Sequence, residues 1–555
     1  MRKLELQCFI TSFVFMLFFS VAVGAAAQER IYNNPILPGF YPDPSICRVN
    51  DDFYLVNSSF EYFPGVPIFK SKDLVNWKQI GNVLDRPSQL SLDSVKYGIS
   101  GIFAPSIRFH NGTYYMTTTM IGSKDSVRSG NFICTAKSPE GPWSDPFYLD
   151  GAPGIDPCLF FDENGRSYFI GTRFANNDEQ KYWKHSIIWM KELDVVNMRL
   201  LGEEKVILAQ GGALHHARNA EGPRLFKRNG FYYLIVAEGG TGHEHAVTVF
   251  RAKNIEGPYE TNPRNPILTN RHLEMNYPIQ NIGHADLVET QNGDWWMVVL
   301  GIRPYRNGTT NLARETFLVP MAWEDNWPVG APSSGHVCMQ HPAPKLPEYK
   351  FPSLPFEDHF NSIRLEPYWN FIRTPSQKTY SLTERKGFLR LYLKPQTLSQ
   401  ELSPSFIGRR QQHKDFISDV FMEYISSKEG EESGLVVFQS PQCHYRLVKR
   451  GLSENASLAL VKTDNGIETD VSVVKFDEKR IGLRVIAIKQ QYSFYYSLNG
   501  NEWHSIGSAQ DGKILTSNYC GGYTGSYIGM YASSNGSKST NYSDFDCFSY
   551  KEAFE

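Results

Sequence analysis

Asp43-Pro44-Ser45-Ile46, leading through a turn into Asp52-Phe53-Tyr54-Leu55-Val56, sets a pattern that the chain repeats four more times. Ala104-Pro105-Ser106-Ile107 runs to Asn111-Gly112-Thr113-Tyr114-Tyr115, and Asp156-Pro157-Cys158-Leu159 to Asn164-Gly165-Arg166-Ser167-Tyr168-Phe169. Gly222-Pro223-Arg224-Leu225 runs to Asn229-Gly230-Phe231-Tyr232-Tyr233, and His284-Ala285-Asp286-Leu287 to Asn292-Gly293-Asp294-Trp295-Trp296. Asn-Gly between two apolar runs is a strong hairpin signal, because both central residues of a type I′ turn need positive φ. The copies begin about 50–65 residues apart, which leaves room for two further strands each time, the four-stranded blade of a propeller. Helical periodicity is weak throughout this half of the chain. The expectation is an all-β chain whose first part is a five-bladed β-propeller.

The inner strand of a blade lines the central channel, so equivalent repeat positions converge on the axis. Those positions hold Asp43, Ala104, Asp156, Gly222 with Glu221 just before it, and His284. Three carboxylates and a histidine would then ring one pocket. Two carboxylates flanking a glycosidic bond suffice to hydrolyse it, one protonating the leaving oxygen and the other attacking the sugar or activating water. A third negative charge keeps the acid's proton on at neutral pH. Taken singly, an Asp before Pro is an ordinary turn residue; the shared place in the repeat is what carries the reading.

The repeats end near Trp323–Trp327, and Pro342, Pro344, Pro347, Pro352 and Pro355 mark a stiff extended connector. Beyond it, short apolar stretches such as Phe388–Leu393 and Gly434–Phe438, separated by turn signals such as Asn499-Gly500, read as a β-sandwich. At the other end, Arg2 and Lys3 precede an apolar run from Cys8 to Val23 and the small residues Gly24-Ala25-Ala26-Ala27, a secretory signal cut after Ala27. The expected division is 1–27 signal peptide, 28–341 propeller, 342–355 linker and 356–555 sandwich. The mature protein, with no later apolar run long enough to span a bilayer, is expected to be secreted or periplasmic.

A formal net charge of −2 over 555 residues lacks the basic stripe that a nucleic-acid binder needs. The 41% of hydrophobic residues excludes a disordered chain. Aromatic residues make up 14%, which suits both β-cores and stacking platforms for ring-shaped ligands. The seven cysteines after Cys8 have neither CxxC spacing nor a dense framework. They read as small core residues, with at least one thiol unpaired and a pair such as Cys520 with Cys547 left open. Asn57-Ser58-Ser59, Asn111-Gly112-Thr113 and Asn307-Gly308-Thr309 match glycosylation sequons.

The stretch Asn34-Pro35-Ile36-Leu37-Pro38-Gly39-Phe40-Tyr41-Pro42-Asp43-Pro44-Ser45-Ile46 resembles the opening of glycoside hydrolase family 43, the five-bladed β-xylosidases and α-L-arabinofuranosidases. So do Ser59–Val66, Gly154–Pro157, Ala220–Pro223, Ala237–Thr241, Gly283–Leu287 and Arg314–Leu318, while Arg409–Gln412 and Gly434–Val436 resemble the C-terminal sandwich of the xylosidase branch. The resemblance implies an inverting, exo-acting hydrolase with Asp43 as general base, Glu221 as general acid, and Asp156 raising and orienting that acid. It implies Phe60, Phe103, Thr241, His284 and Arg314 in the terminal-sugar subsite. His284 is placed to hold a water or, as in some relatives, a Ca²⁺; no cofactor is required for the reaction. The implied partners are plant hemicellulose oligosaccharides, fragments of xylan or arabinoxylan. Xylose and arabinofuranose both remain open as the sugar released, with a lean to xylose, and a non-catalytic carbohydrate-binding propeller is the reading from another class. The absent Asn-Asp-Pro-Asn-Gly stretch argues against fructan cleavage. Three departures touch the pocket walls: the longer segment Leu214–Ala220, no Trp within Ser100–Ala104, and Ala313 in place of a usual Gly.

Overall fold

The computed structural model describes residues 30–93, 95–122, 128–209, 218–352, 356–375 and 378–554. The expected signal peptide and the Leu214–Ala217 part of the long segment before Glu221 lie outside the described residues. The architecture is all-β. Among the described residues the helices are two 3₁₀ turns and the single turn Ser517–Cys520. None of them is long and apolar enough to cross a membrane.

Five antiparallel sheets follow one another between residues 45 and 330, four of them with four strands and the second with five. Their leading strands are β1 (Ser45–Val49), β2 (Ser106–His110), β3 (Ile155–Phe161), β4 (Glu221–Arg228) and β5 (Gln280–Glu289). Each of these strands packs on the next, and β5 packs on β1, so the series returns to its start. Each sheet follows from its hairpin. At Asn111-Gly112 and Asn229-Gly230 both residues have positive φ, as a type I′ turn requires. At Asn164-Gly165 and Asn292-Gly293 only the glycine does, and the loop is one residue longer, closed by bonds to Asp162 and Thr290.

Residues 340–342 pair antiparallel with residues 31–33, so the connector's first proline, Pro342, still belongs to a strand. Beyond it the chain forms a nine-stranded and a six-stranded sheet. Phe388–Leu393 supplies the strand Leu389–Tyr392, and Gly434–Phe438 lies within Glu432–Ser440. Val420, Leu483 and Phe548 of the larger sheet bury against the same apolar cluster as Leu435, Leu447 and Ile528 of the smaller. That cluster continues into Val83, Ile102 and Phe132 of the first two sheets. The two halves of the chain thus share a core.

Polar contacts fix the halves in register. Residues 371–372 add a strand pair to Tyr62–Phe63, and Tyr62 stacks on Tyr527 with ring centroids 3.8 Å apart. The buried Arg410 donates to Phe40 O and to Asn370 Oδ1, each at 2.7 Å. One cysteine pairing differs from the expectation. Cys520 is bonded to Cys443, brought within 6.4 Å between Cα atoms by the turn 517–520, and Cys547 is a free thiol. Asn57 of the first sequon is fully buried, its Nδ2 donating to Tyr41 O, Pro42 O and Thr316 Oγ1, so it is a structural amide with no route to a glycan.

Candidate active site

The site begins with a backbone irregularity that the leading strands share. In β3, β4 and β5 the pairing with the next strand slips by one residue, between Ile155 and Cys158, Glu221 and Arg224, and Gly283 and Asp286. The extra residue of each bulge is left-handed: Asp156 at φ 56°, Gly222 at 61° and His284 at 50°. Asp43, just before β1, has φ 54°. Three of these four precede a proline, which suits a place where the ladder is interrupted and no N–H is required. For a non-glycine residue such a conformation is strained, and strain of this kind gathers at functional sites. It turns the side chains of Asp43, Asp156 and His284 toward a common centre. At the fourth position a side chain has no room. A Cβ on Gly222 would lie 2.9 Å from Cε1 of His284, so the carboxylate there comes from Glu221.

Small-molecule sites are cavities of roughly 300–1,000 Å³, and one of ≈ 580 Å³ opens here. Asp43, Asp156, Glu221, Phe60, Phe103, Thr241, His284 and Arg314 all line it. The structure therefore brings together every residue that the sequence singled out. Ile99, Phe174, Lys184, Asn219 and Tyr523 line it as well, and Ser58 and His245 stand behind it. Ser58 carried no repeat signal. His245 is locked by Nδ1 against Asn281 O at 3.0 Å, and its ring covers Gly283, where a Cβ would come within 2.2 Å of it. Tyr523 comes from the second half of the chain, and only the packing of the halves delivers it.

Electrostatics divide the three acids. Asp43 is buried, which by itself would raise its pKa. The Arg314 guanidinium at 2.7 Å from Oδ1, the His284 ring and the Ser58 hydroxyl at 2.5 Å from Oδ2 outweigh burial and hold it below the ordinary range. Asp43 is ionised at neutral pH. Glu221 is pushed the other way, to about 8, first by burial and then by the charges of Asp156 and Asp43. Asp156 is also raised, to about 7, by burial and Asp43, while it accepts the Gly222 N–H at 3.1 Å. Two raised acids beside an ionised third mean that the Glu221–Asp156 pair retains a proton at neutral pH. Burial, opposed by Asp43 and aided by Arg224, brings His284 down to about 3, so its ring is neutral. A second buried charge cluster lies on β5, two residues beyond His284. Asp286 receives Ser45 Oγ at 2.6 Å and Arg108 Nη1 at 3.0 Å, with Arg224 Nε at 3.5 Å.

An ionised carboxylate facing a protonated one across a sugar-sized cavity is the equipment of a glycoside hydrolase. Comparison with known proteins gives the family. The model described as glycosyl hydrolases family 43 matches residues 32–328, and that of the beta xylosidase C-terminal concanavalin A-like domain matches residues 357–551. The chain is 44% identical to a xylosidase/arabinosidase of Butyrivibrio fibrisolvens, covering 94% of this chain and 99% of the relative. It is 38% identical to the non-reducing end alpha-L-arabinofuranosidase BoGH43B of Bacteroides ovatus, over 95% and 96% of the two chains. The crystal structure of xylan beta-1,4-xylosidase from Bacillus halodurans superposes with a TM-score of 0.87 at 34% identity, covering 94% of this chain and all of that one. The chain belongs to glycosyl hydrolases family 43.

Proposed function

We propose that this chain is an exo-acting, inverting hydrolase that releases terminal xylose or arabinofuranose from hemicellulose oligosaccharides. The observation that carries the reading is the opposed charge state of Asp43 and Glu221 in one cavity. Asp43, ionised and clamped by Arg314 and Ser58, takes a proton from the water that attacks the anomeric carbon. Glu221 delivers its proton to the glycosidic oxygen as that bond breaks. Asp156 supplies the charge that keeps Glu221 protonated and, through the Gly222 N–H, fixes the backbone beside it. Phe60 and Phe103, with ring centroids 5.2 Å apart, form an apolar wall for the terminal sugar, which Thr241, His284 and Arg314 hold by hydrogen bonds.

The closed series of five sheets supports a five-bladed propeller over 28–341 with this site on its axis. The two sheets sharing one core support a β-sandwich over 356–555, joined through the connector 342–355. We assign residues 1–27 to an export signal on their composition, and the mature enzyme to a secreted or periplasmic location. A Ca²⁺ near His284 fits this chain poorly. Calcium takes roughly six to eight oxygen ligands, whereas the Asp43 carboxylate beside the His284 ring is already engaged by Arg314 and Ser58, and that of Asp286 by Arg108 and Arg224. The reaction as written needs no cofactor.

The relatives' names favour both pentoses, and the arabinofuranosidase reading draws on the Bacteroides ovatus protein. Release of nitrophenol from aryl β-xyloside and aryl α-L-arabinofuranoside, followed by identification of the sugars freed from arabinoxylan, tests the assignment. Turnover of either substrate that is lost in Asp43→Ala supports it. Sugar binding without turnover on any of them would leave a carbohydrate-binding protein instead.

A further inference from the structure

The last strand of the chain, Tyr542–Glu552, pairs with the two residues that follow the connector through Glu357↔Ser549 and Asp358↔Phe548. On that strand the pairing with residues 416–423 slips between Phe421 and Met422, which leaves Asp546 as the extra residue next to Cys547. Cys547 is a free thiol, since Cys520 is bonded to Cys443. Glu357, His359 and Cys547 offer a carboxylate oxygen, an imidazole nitrogen and a sulfur that all lie within 4.8 Å of one another.

His359 Nε2 is 3.2 Å from Glu357 Oε2. Two ligands each about 2.0–2.1 Å from a zinc ion, at a tetrahedral angle, stand about 3.3 Å apart. The pair thus has the spacing of one edge of a zinc tetrahedron, and Cys547 occupies a third corner. Other acids surround the thiol, and each has its own partners. Asp419 is held by Arg484 at 2.6 and 2.7 Å. Asp358 accepts Phe360 N and Trp369 Nε1, and Asp546 pairs with Arg480. Burial and these charges oppose ionisation of the Cys547 thiol, and a cation bound at the sulfur offsets them.

We propose that Glu357, His359 and Cys547 form a zinc site, with water in the fourth position, that pins the start of the C-terminal region to its last strand. Imidazole, thiolate and carboxylate together suit a borderline-soft, tetrahedral ion such as Zn²⁺ over Ca²⁺ or Mg²⁺, which take oxygen ligands. Binding converts Cys–SH and Zn²⁺ to a Zn–S bond and a proton released to solvent. The site is separate from the acids of the cavity and does not depend on the hydrolase reading.

The test is titration of the metal-free full chain with Co²⁺, which reports a thiolate ligand by a sulfur-to-cobalt charge-transfer band in the near ultraviolet. The wild type should show that band, with the intense visible bands of tetrahedral cobalt, and Zn²⁺ should displace both. Cys547→Ser should abolish the charge-transfer band. His359→Ala, at an exposed position, should weaken binding by more than the ~10–100-fold that loss of an outer-shell partner costs. Hydrolysis of aryl glycosides should be unchanged in both variants. Absence of the band in the wild type overturns the site, as does a band that persists in Cys547→Ser. Equal affinity in His359→Ala would reduce the site to a lone thiol and overturn it too.

Discussion

Arg314 Nη1 stands 2.7 Å from Asp43 Oδ1, though 271 residues separate them in sequence. The contact closes the ring of sheets, since Asp43 precedes β1 and Arg314 precedes the third strand of the fifth sheet, Glu315–Glu324. It also bears on the charge of Asp43, the proposed base. Burial is the largest influence on Asp43 and acts upward; Arg314 leads the influences that act downward. Arg314→Ala should let burial win, raise the pKa of Asp43, and move the acid limb of the kcat/KM profile to higher pH. Arg314→Lys keeps the charge but loses the planar fork, so it should recover only part of the shift. A loss of about 10²-fold in kcat/KM is expected from the misplaced base. An acid limb that stays in place in Arg314→Ala would refute the assignment of Asp43.

Asp43 and Glu221 should fail differently. General acid–base groups contribute roughly 10²–10⁴-fold each. Glu221→Ala should lose that much on a poor leaving group and far less on a nitrophenol, which departs with little protonation. Asp43→Ala should lose it on every substrate, because water must be activated whatever leaves. Equal losses across leaving groups in Glu221→Ala would place the acid elsewhere.

On the proposed assignment the alkaline limb reports Glu221, whose pKa is raised to about 8. Activity should fall as pH rises through that value. The negative charge of Asp156 is part of the cause, so Asp156→Asn should lower the pKa of Glu221 and bring the alkaline limb down in pH. The Asn side-chain oxygen can still accept the Gly222 N–H, so the backbone should hold. The same shift has a cost in stability. A carboxyl with a folded pKa above its unfolded one contributes stability that is present at low pH and lost as pH rises through the folded value. Glu221→Gln should therefore melt higher than the wild type near pH 8 and above, and a lower melting temperature there would contradict the burial argument.

How far the sequence speaks depends on the range of the interaction. The hairpins were legible because turn chemistry is local, and Asn111-Gly112 and Asn229-Gly230 form with positive φ as their composition demands. The convergence of Asp43, Asp156 and His284 was legible through the repeat, because four of the five copies, all but the one at Ala104, carry a left-handed residue at one place. Ser58, His245 and Tyr523 were not legible. Ser58 meets Asp43 across the first sheet and His245 meets Asn281 between neighbouring sheets, contacts that no turn or repeat signal marks, and Tyr523 arrives through the packing of the two halves. The pairing of Cys443 with Cys520 was equally hidden, since spacing along the chain does not report proximity. Ala313 stood out as a departure from a usual glycine, and it does take a φ of 55°, a conformation that glycine adopts without strain.

Gly222 tests the local argument directly. Its φ is 61°, and an added Cβ would meet His284 Cε1 at 2.9 Å with both ring nitrogens at 3.1 Å. The left-handed conformation costs an L-residue about 1–2 kcal/mol, and overpacking against a fixed ring about 1–3 kcal/mol more. Gly222→Ala should destabilise the chain by about 2–5 kcal/mol and, by displacing His284 and the neighbouring Glu221, reduce turnover. Unchanged melting and turnover would mean that the bulge has room that its geometry denies.

The second half of the chain should be inseparable from the site. Gly39, four residues before Asp43, has φ 86°, and a Cβ there would lie 2.5 Å from the backbone oxygen of Gln411, so the two halves meet backbone to backbone on the segment that carries Asp43. Arg410 holds Phe40 O on the same segment, and Arg373 caps Val95 O at 2.7 Å. Tyr523 stands 6.0 Å from Phe60 between ring centroids and forms part of the cavity wall. A fragment ending at residue 341 would expose Tyr62, Phe63 and Ile102, which the second half now buries, and would leave the segment before Asp43 without its anchor. It should aggregate or, if soluble, lose most of its kcat/KM on aryl glycosides, and co-expression with residues 342–555 should restore it. A soluble fragment with full activity would show that the second half acts on the polymer and not on the pocket.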